Sequence, residues 1–396
     1  MLEAALLAGI CSVGAEGVSL GVVPTPAVAY LVKKYKADAG VMISASHNSF
    51  EFNGIKLFDK NGFKLPDNIQ EKIEKIILDR SNECEVDLPI GERVGKITHC
   101  DTAVKDYIDY LISTSKFVNK DLKIAVDCAN GSSSVTAKDL FEKLGVRADI
   151  LFSKPNGINI NENCGSTYLK SLSKYVIENN CDLGIAFDGD ADRCLCVDEK
   201  GNIMDGDAIL AVCALNMKKE GVLKNNTLVG TIMSNLGLKK FCEKNSINFS
   251  ETKVGDRYVL ERMQNDEHNI GGEQSGHVIF LDYSTTGDGQ LTAVQILNIL
   301  SKLNKKASVL NEFVKKYPQK SATINIMPHQ KGVLYKQESI KKYLDSLKKE
   351  LGEFGRIVVR ESGTEPKIRI MVEHENFDKI DEIIKNTVEI IKENLN

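Results

Sequence analysis

Three aspartates at alternate positions, Asp188, Asp190 and Asp192, close the apolar run Leu183–Phe187, and Arg193 follows at once. On an extended backbone alternate residues face one side, so the carboxylates converge. Like charges so close repel unless a cation lies among them, and hard oxygen ligands suit Mg²⁺ or Ca²⁺ better than zinc. A solvated acidic turn is the plain alternative, disfavoured directly after a buried strand. An EF-hand loop would use Glu199 as its twelfth residue. Its sixth place, which needs Gly, holds Arg193, and the alternation of Leu195 and Val197 reads as strand rather than helix.

Three further loops could carry chemistry. Ser44-Ala-Ser46-His47-Asn48 follows the short apolar run Val41–Ile43. In a parallel α/β sheet the carboxyl ends of strands are where ligands bind, so Ser46 beside His47 is a candidate nucleophile. A capped turn is the alternative, and no Gly-x-Ser-x-Gly elbow supports an α/β-hydrolase. Asn53-Gly54 is a turn signal after which Lys56 projects from the departing strand. Gly271-Gly-Glu273-Gln274-Ser275-Gly276-His277 sets hydrogen-bonding side chains between glycines, which suits a polyhydroxylated ligand or an ordinary polar turn. Arg360-Glu-Ser362-Gly363-Thr364-Glu365-Pro366 offers a guanidinium, hydroxyls and an open backbone, a phosphate cradle with no Walker A pattern in the chain.

The elements that must position these loops alternate strand and helix, which argues for an α/β layer fold. Thr25, between two prolines, reads as a helix cap before the stripe Val28, Leu31, Val32 and Tyr35. A charged stretch from Asp79 to Thr98 separates this segment from the next. Strands are expected at Lys123–Asp127, Ala148–Phe152, Thr227–Ile232 and Asn248–Thr252, with helices near Val135–Leu144 and Gln290–Leu303. From about Tyr317 the rhythm changes to a small α+β unit. The expected architecture is three similar mixed-sheet α/β domains plus a smaller C-terminal α+β domain around a central cleft. The divisions fall at 1–100, 101–200, 201–314 and 315–396, each within the usual domain range of about 50–250 residues.

Composition narrows the partners. The 396 residues carry a net charge of −4 with both signs mixed and no basic block, which disfavours nucleic acid. No apolar run reaches the roughly 18 residues that span a bilayer. Ten scattered cysteines without a paired framework point to a reducing cytoplasm.

Taken together, the loops resemble those of the α-D-phosphohexomutases, in family order and over essentially the whole chain. The Ser44–Asn48 loop, Asn159-Ile-Asn161-Glu-Asn-Cys164-Gly165-Ser166, the Glu-Gln-Ser-Gly-His loop and Arg-x-Ser-Gly-Thr-Glu-Pro agree with the branch acting on glucosamine phosphates. Phosphomannomutase/phosphoglucomutase relatives, the alternative branch, typically carry Met at the position of Gln274.

The resemblance implies that Ser46 carries a phosphoryl group and that Asp188, Asp190 and Asp192 hold Mg²⁺ together with that phosphoserine. Glucosamine 6-phosphate and glucosamine 1-phosphate would interconvert through a 1,6-bisphosphate, feeding cell-wall precursor synthesis. Arg193 would help neutralise charge, and Lys56 and His277 would move protons. Glu273, Gln274 and Ser275 would bind the sugar. Arg360, Ser362, Gly363 and Thr364 would hold the phosphate not being transferred, and Asp256 and Arg257 would form another substrate-facing loop.

Two departures stand out. The family normally begins with a strand and an Arg-Gly loop, whereas this chain starts inside the following helix. The expected consequences are an unpaired sheet edge that invites association, a homodimer among the outcomes, and a missing active-site Arg. A catalytically impaired sugar-phosphate binding protein is the reading this would favour. Ser49 and Phe52 also stand where the family has Pro and an acidic residue.

Overall fold

The computed structural model describes residues 1–78, 88–116, 118–362 and 366–395. The first segment contains α1 (Leu2–Ser12), β1 (Gly17–Ser19), α2 (Thr25–Tyr35), β2 (Ala39–Ile43), β3 (Ile55–Asp59), α3 (Asp67–Leu78) and β4 (Ile97–His99). The second contains α4 (Ala103–Ser113), β5 (Lys123–Asp127), α5 (Ala137–Lys143), β6 (Arg147–Leu151), α6 (Lys170–Glu178), β7 (Leu183–Phe187), β8 (Cys194–Asp198) and β9 (Ile203–Met204). The third contains α7 (Gly206–Lys219), β10 (Thr227–Thr231), α8 (Leu236–Lys244), β11 (Asn248–Thr252), α9 (Asp256–Asn265), β12 (Ile270–Gly272), β13 (Val278–Phe280), α10 (Gly289–Leu303) and α11 (Ala307–Asn311). The last contains β14 (Gln319–Asn325), α12 (Glu338–Leu351), β15 (Gly355–Glu361), β16 (Lys367–His374) and α13 (Phe377–Leu395).

The second and third sheets are mixed, in the orders β6-β5-β7-β8-β9 and β11-β10-β12-β13. β5, β6 and β7 run parallel while β8 turns back on β7. β7 is buried at every residue, which is why it reads as a continuous apolar run and not an alternation. β9 pairs with β8, so this sheet runs a few residues past the expected boundary at 200.

The first segment departs from the expected pattern. β2 pairs antiparallel with β3, and β1 pairs parallel with β4, giving two small ladders among the described residues. Ser46 therefore leaves a hairpin strand and not a strand of a parallel sheet. The stretch from Asp79 to Thr98 was expected to separate domains; residues 79–87 lie outside the described residues, and its end enters β4, on β1. Tight turn chemistry sets the helix starts elsewhere. Asp288 Oδ1 accepts from the Leu291 N–H at 2.9 Å at the head of α10, and Asp205 caps α7 through Ala208.

One contiguous core runs through the first three segments, and the fourth has its own. The fourth is an antiparallel sheet, β14-β16-β15, whose apolar face packs beneath α12 and α13. Its opposite face meets the third segment through a buried polar knot. Glu373, with no exposed surface, accepts from Arg356 Nε at 2.5 Å, Asn235 Nδ2 at 3.1 Å and the Leu236 N–H at 3.0 Å. Removing one partner from such a pair strands a buried charge, so the knot fixes how the fourth segment docks.

Candidate active site

The hairpin loop 44–54 carries Ser46 to the carboxyl end of β7. Ser46 has a left-handed backbone, φ 55°, which is uncommon for a non-glycine residue. Two side chains hold it there. Ser44 Oγ accepts from the Ser46 N–H at 2.9 Å, and Asn161 Nδ2 donates to the carbonyls of Ser46 and Asn48 at 3.0 and 2.8 Å. The seat is tight: a Cβ on Gly189 would lie 2.6 Å from the Ser46 carbonyl oxygen. Ser46 Oγ donates to Asp188 Oδ2 at 2.7 Å, with His47 Nδ1 3.4 Å from the same hydroxyl.

Asp188, Asp190 and Asp192 are buried, at 0, 1 and 4% exposure, and offer carboxylate oxygens within 4.8 Å of one another. This is the acidic cluster of metal-ligating type among the described residues. Asp190 Oδ1 and Asp192 Oδ1 have no hydrogen-bond partner. Buried orphaned carboxylate oxygens facing one another fit a hard divalent cation. Burial, then the charges of Asp192 and Asp190, push the Asp188 carboxyl well above the ordinary range. A bound cation reverses that direction. Glu199 accepts from the Ser308 N–H and hydroxyl and faces away from the cluster, so no EF-hand is formed.

Positive groups converge on the same loop. Lys56 Nζ, projecting from β3, donates to Asp190 Oδ2 at 2.6 Å and Asp192 Oδ2 at 3.2 Å. Burial alone would lower the Lys56 pKa; Asp192 and Asp190 outweigh it and raise it above the usual lysine value. Arg193 Nε is buried without a partner, 4.0 Å from Asp192 Oδ1. His47, on the exposed side of its loop, is held below the ordinary histidine value by partial desolvation and the charge of Arg193.

His277 is buried, with Nδ1 3.5 Å from Asp192 Oδ1 and Nε2 3.6 Å from Asp256 Oδ2. Its Nε2 accepts from the Gly287 N–H at 3.1 Å. The two ring nitrogens thus face two carboxylates, Asp192 on one side and Asp256 on the other. Burial disfavours the Asp192 anion, but His277, Lys56 and Lys64 together hold it well below the usual carboxylate range.

The Gly271–His277 loop lies beside this group. Glu273 Oε1 accepts from the Gly255 N–H at 3.0 Å, which ties it to the loop before α9. The Gln274 carbonyl accepts from the Gly206 N–H at 3.0 Å, and Ser275 Oγ is buried with no partner. Asp256 and Arg257 reach back to the first segment: Asp256 pairs with Lys64, and Arg257 with Asp67 and Gln70. Against the penalty of burial, His277 and Lys64 lower the Asp256 pKa to about 2. Arg360 lies at the end of β15 with Ser362 just beyond; Gly363 and Thr364 fall outside the described residues.

Two residues at this site carried another meaning or none in the sequence. Thr25 does not cap α2 with its side chain. Its Oγ1 donates to Asp190 Oδ2 at 2.5 Å, and its N–H donates to the Asp190 carbonyl at 2.9 Å. Asn161 sat within a family motif without a role. Both tie one segment's loop to another's.

Family models describing phosphoglucomutase/phosphomannomutase α/β/α domains I, II and III match residues 1–83, 105–201 and 205–317, and the C-terminal domain matches 327–390. A phosphoglucosamine mutase of Clostridium botulinum (strain Kyoto / Type A2) is 50% identical over 393 residues, 99% of this chain and 87% of that protein. The chain belongs to the α-D-phosphohexomutase family. A phosphoglucosamine mutase of Clostridium novyi (strain NT) is 49% identical over 396 residues, covering 100% of this chain and 88% of the relative.

Among solved structures, a phosphoglucomutase/phosphomannomutase family protein of Burkholderia thailandensis matches with a TM-score of 0.81 at 22% identity. It covers 99% of this chain and 86% of that one. Aspergillus fumigatus N-acetylphosphoglucosamine mutase, in complex with GlcNAc-6P and magnesium, matches at 0.73 and 17% identity, covering 94% and 93%. At such identities these two speak for the phosphohexomutase fold alone. Among the described residues no helix is long and apolar enough to cross a membrane.

Proposed function

We infer that this phosphohexomutase interconverts glucosamine 6-phosphate and glucosamine 1-phosphate, with Ser46 carrying the phosphoryl group between them. The observation that carries this reading is the Ser46 hydroxyl seated on Asp188 within three converging carboxylates, in a chain half identical to phosphoglucosamine mutases. In the forward direction the bond from phosphorus to Ser46 Oγ breaks and one to sugar O1 forms, while O1 loses its proton. The resulting 1,6-bisphosphate reorients in the cleft. Its 6-phosphoryl group returns to Ser46 Oγ, O6 gains a proton, and glucosamine 1-phosphate leaves.

Asp188, Asp190 and Asp192, with an oxygen of phosphorylated Ser46, would hold Mg²⁺. When bound, the ion supplies fixed positive charge against the transferring group. Lys56 keeps its proton between two carboxylates, so its part is to donate a hydrogen bond to the phosphoryl oxygens and not to act as a base. His47, with Nδ1 3.4 Å from Ser46 Oγ and its pKa lowered, would accept a proton beside the carboxylates that hold the metal. His277, with Nε2 already accepting, orients Asp192 instead of moving protons. Arg193 faces developing charge.

Glu273, Gln274 and Ser275 would contact the sugar, and Arg360, Ser362, Gly363 and Thr364 the phosphate at rest. Asp256 and Arg257 hold the first and third segments together beside the substrate. We place domain boundaries near 100, 200 and 314 and the reaction in the cytoplasm. The test is turnover on glucosamine 6-phosphate beside glucose and mannose 6-phosphates, primed with a hexose 1,6-bisphosphate. A clear preference for the amino sugar is expected. Preference for glucose or mannose phosphate would move the chain to the other branch of the family.

A further inference from the structure

Asp190 belongs to no strand. β7 ends at Phe187 and β8 begins at Cys194, and the loop between them turns at Ala191, whose backbone is left-handed at φ 55°. A side chain on such a loop takes its direction from what it touches. Asp188 is held partly by its own loop, since the Arg193 N–H donates to Asp188 Oδ1 at 3.1 Å. Asp190 takes its side-chain donors from the first segment. Thr25 Oγ1 at 2.5 Å and Lys56 Nζ at 2.6 Å both meet Oδ2. Oδ1 is buried and has no hydrogen-bond partner. One carboxylate oxygen is thus saturated, and the other is left for a cation.

The two donors on Oδ2 differ in kind. Lys56 reaches it on a flexible stem and also meets Asp192 Oδ2 at 3.2 Å. Thr25 has no exposed surface. It opens α2 after Pro24 and before Pro26, yet its side chain makes no cap of that helix. A hydroxyl at a helix start ordinarily serves the helix's own N–H groups. Here it leaves them and crosses to another segment. The Thr25 N–H also donates to the Asp190 carbonyl at 2.9 Å. One residue therefore grips Asp190 at both backbone and carboxylate, closing a ring that fixes the torsions between them. The donor itself is stiff, because Pro26 restricts the residue before it and a β-branched side chain has little freedom at χ1.

We propose that Thr25 is a positioning residue for the metal site, holding Asp190 Oδ2 so that Oδ1 faces the cation. This rests on the phosphohexomutase reading of the site. Lys56 is drawn towards a phosphoryl group during transfer, whereas the buried hydroxyl stays on Asp190 throughout. Outer partners of this kind set the orientation of metal-binding side chains. The hydroxyl carries no charge, so Mg²⁺ affinity lost with it is lost through position and not through charge balance. The first segment would then contribute to metal affinity without placing Thr25 on the ion.

The test is calorimetric titration of Mg²⁺ into the full chain at one fixed pH, with melting temperatures measured alongside. Thr25→Val keeps the β-branched shape and removes the donor, and its Mg²⁺ Kd should rise about tenfold or more. Thr25→Ser keeps the hydroxyl and should bind within about threefold of wild type. Thr25→Ala is read in the same way as the Val variant and serves where that one folds poorly. A lower melting temperature with Kd within about twofold of wild type would leave the hydroxyl a packing role only, and overturns the positioning role. A Ser variant as weak as the Val variant would place the effect in the methyl group and overturns it as well. Turnover on glucosamine 6-phosphate is measured separately. A chain whose Mg²⁺ affinity depends on Thr25 but which never turns over that substrate would support the positioning role and refute the mutase reading. A wild-type chain that takes up no Mg²⁺ would refute the metal site and this role with it.

Discussion

Ser46 Oγ donates a 2.7 Å hydrogen bond to Asp188 Oδ2 across 142 residues of sequence. The Ser46 hydroxyl and the first carboxylate of the acidic loop belong to different segments, so neither segment alone contains both. What brings them together is contact between segments: Gly189 lies against the Ser46 carbonyl, Asn161 donates to that carbonyl, and Thr25 donates to Asp190.

Asn161 should therefore act through position. Its amide is the donor to both the Ser46 and Asn48 carbonyls. Asn161→Ala should lower kcat by about tenfold while KM changes little, since misplacing a reacting group chiefly costs rate. Steady-state kinetics beside a thermal melt check this. An unchanged kcat would mean that Ser46 keeps its left-handed backbone without help.

Removing the metal should have a pH signature. The folded-state pKa of Asp188 is raised by burial and its two neighbours, so metal-free protein favours the protonated form. The corresponding stability is present below the unfolded value of about 3.9 and is lost as pH rises through the folded pKa. Adding Mg²⁺ should thus raise the melting temperature more at pH 8 than at pH 5. Asp190→Asn should shrink that increment at pH 8. A Mg²⁺ increment independent of pH would contradict this assignment of Asp188.

Asp256 carries the opposite sign. His277 and Lys64 hold its pKa at about 2, below the unfolded value. Its stabilising share is present above about pH 4 and lost as pH falls through 2, and is on the order of 1 kcal/mol allowing for solvent screening. Denaturant melts should show Asp256→Asn less stable than wild type at pH 7, with the difference closing towards pH 2. A constant difference would show that the pairing with Lys64 and His277 does not set its titration.

Lys56→Met keeps length and removes charge. It leaves Asp190 and Asp192 without their ammonium partner. Turnover should fall by about a hundredfold or more, the usual scale for losing one preorganised donor at a transferring group. Mg²⁺ affinity should rise, as a competing cation is gone. Retained turnover would remove Lys56 from the reaction.

Much of this was legible in the sequence because local chemistry fixed it. The alternating aspartates, the apolar β7 and the helix α10 each declare themselves within a few residues. What stayed hidden depended on distant partners. Thr25 between two prolines reads as a cap, and only the fold puts its hydroxyl on Asp190. Lys64 and Asp67 lie in a stretch without signal, yet pair with Asp256 and Arg257 across the site. Asn53-Gly54 marked the turn into β3, but the antiparallel pairing of β2 was not expected, because a short apolar run looks alike in parallel and antiparallel sheets.

The proposed reaction stands or falls with Ser46 as the carrier of the phosphoryl group. The most direct measurement is intact-peptide mass spectrometry of the chain after turnover with glucosamine 6-phosphate labelled with ³²P, read together with the rate of glucosamine 1-phosphate formation. Label is expected on the peptide containing Ser46, exchanged into product on adding unlabelled substrate, with neither label nor turnover in Ser46→Ala. Turnover at the wild-type rate by Ser46→Ala, or label on another residue, would contradict it.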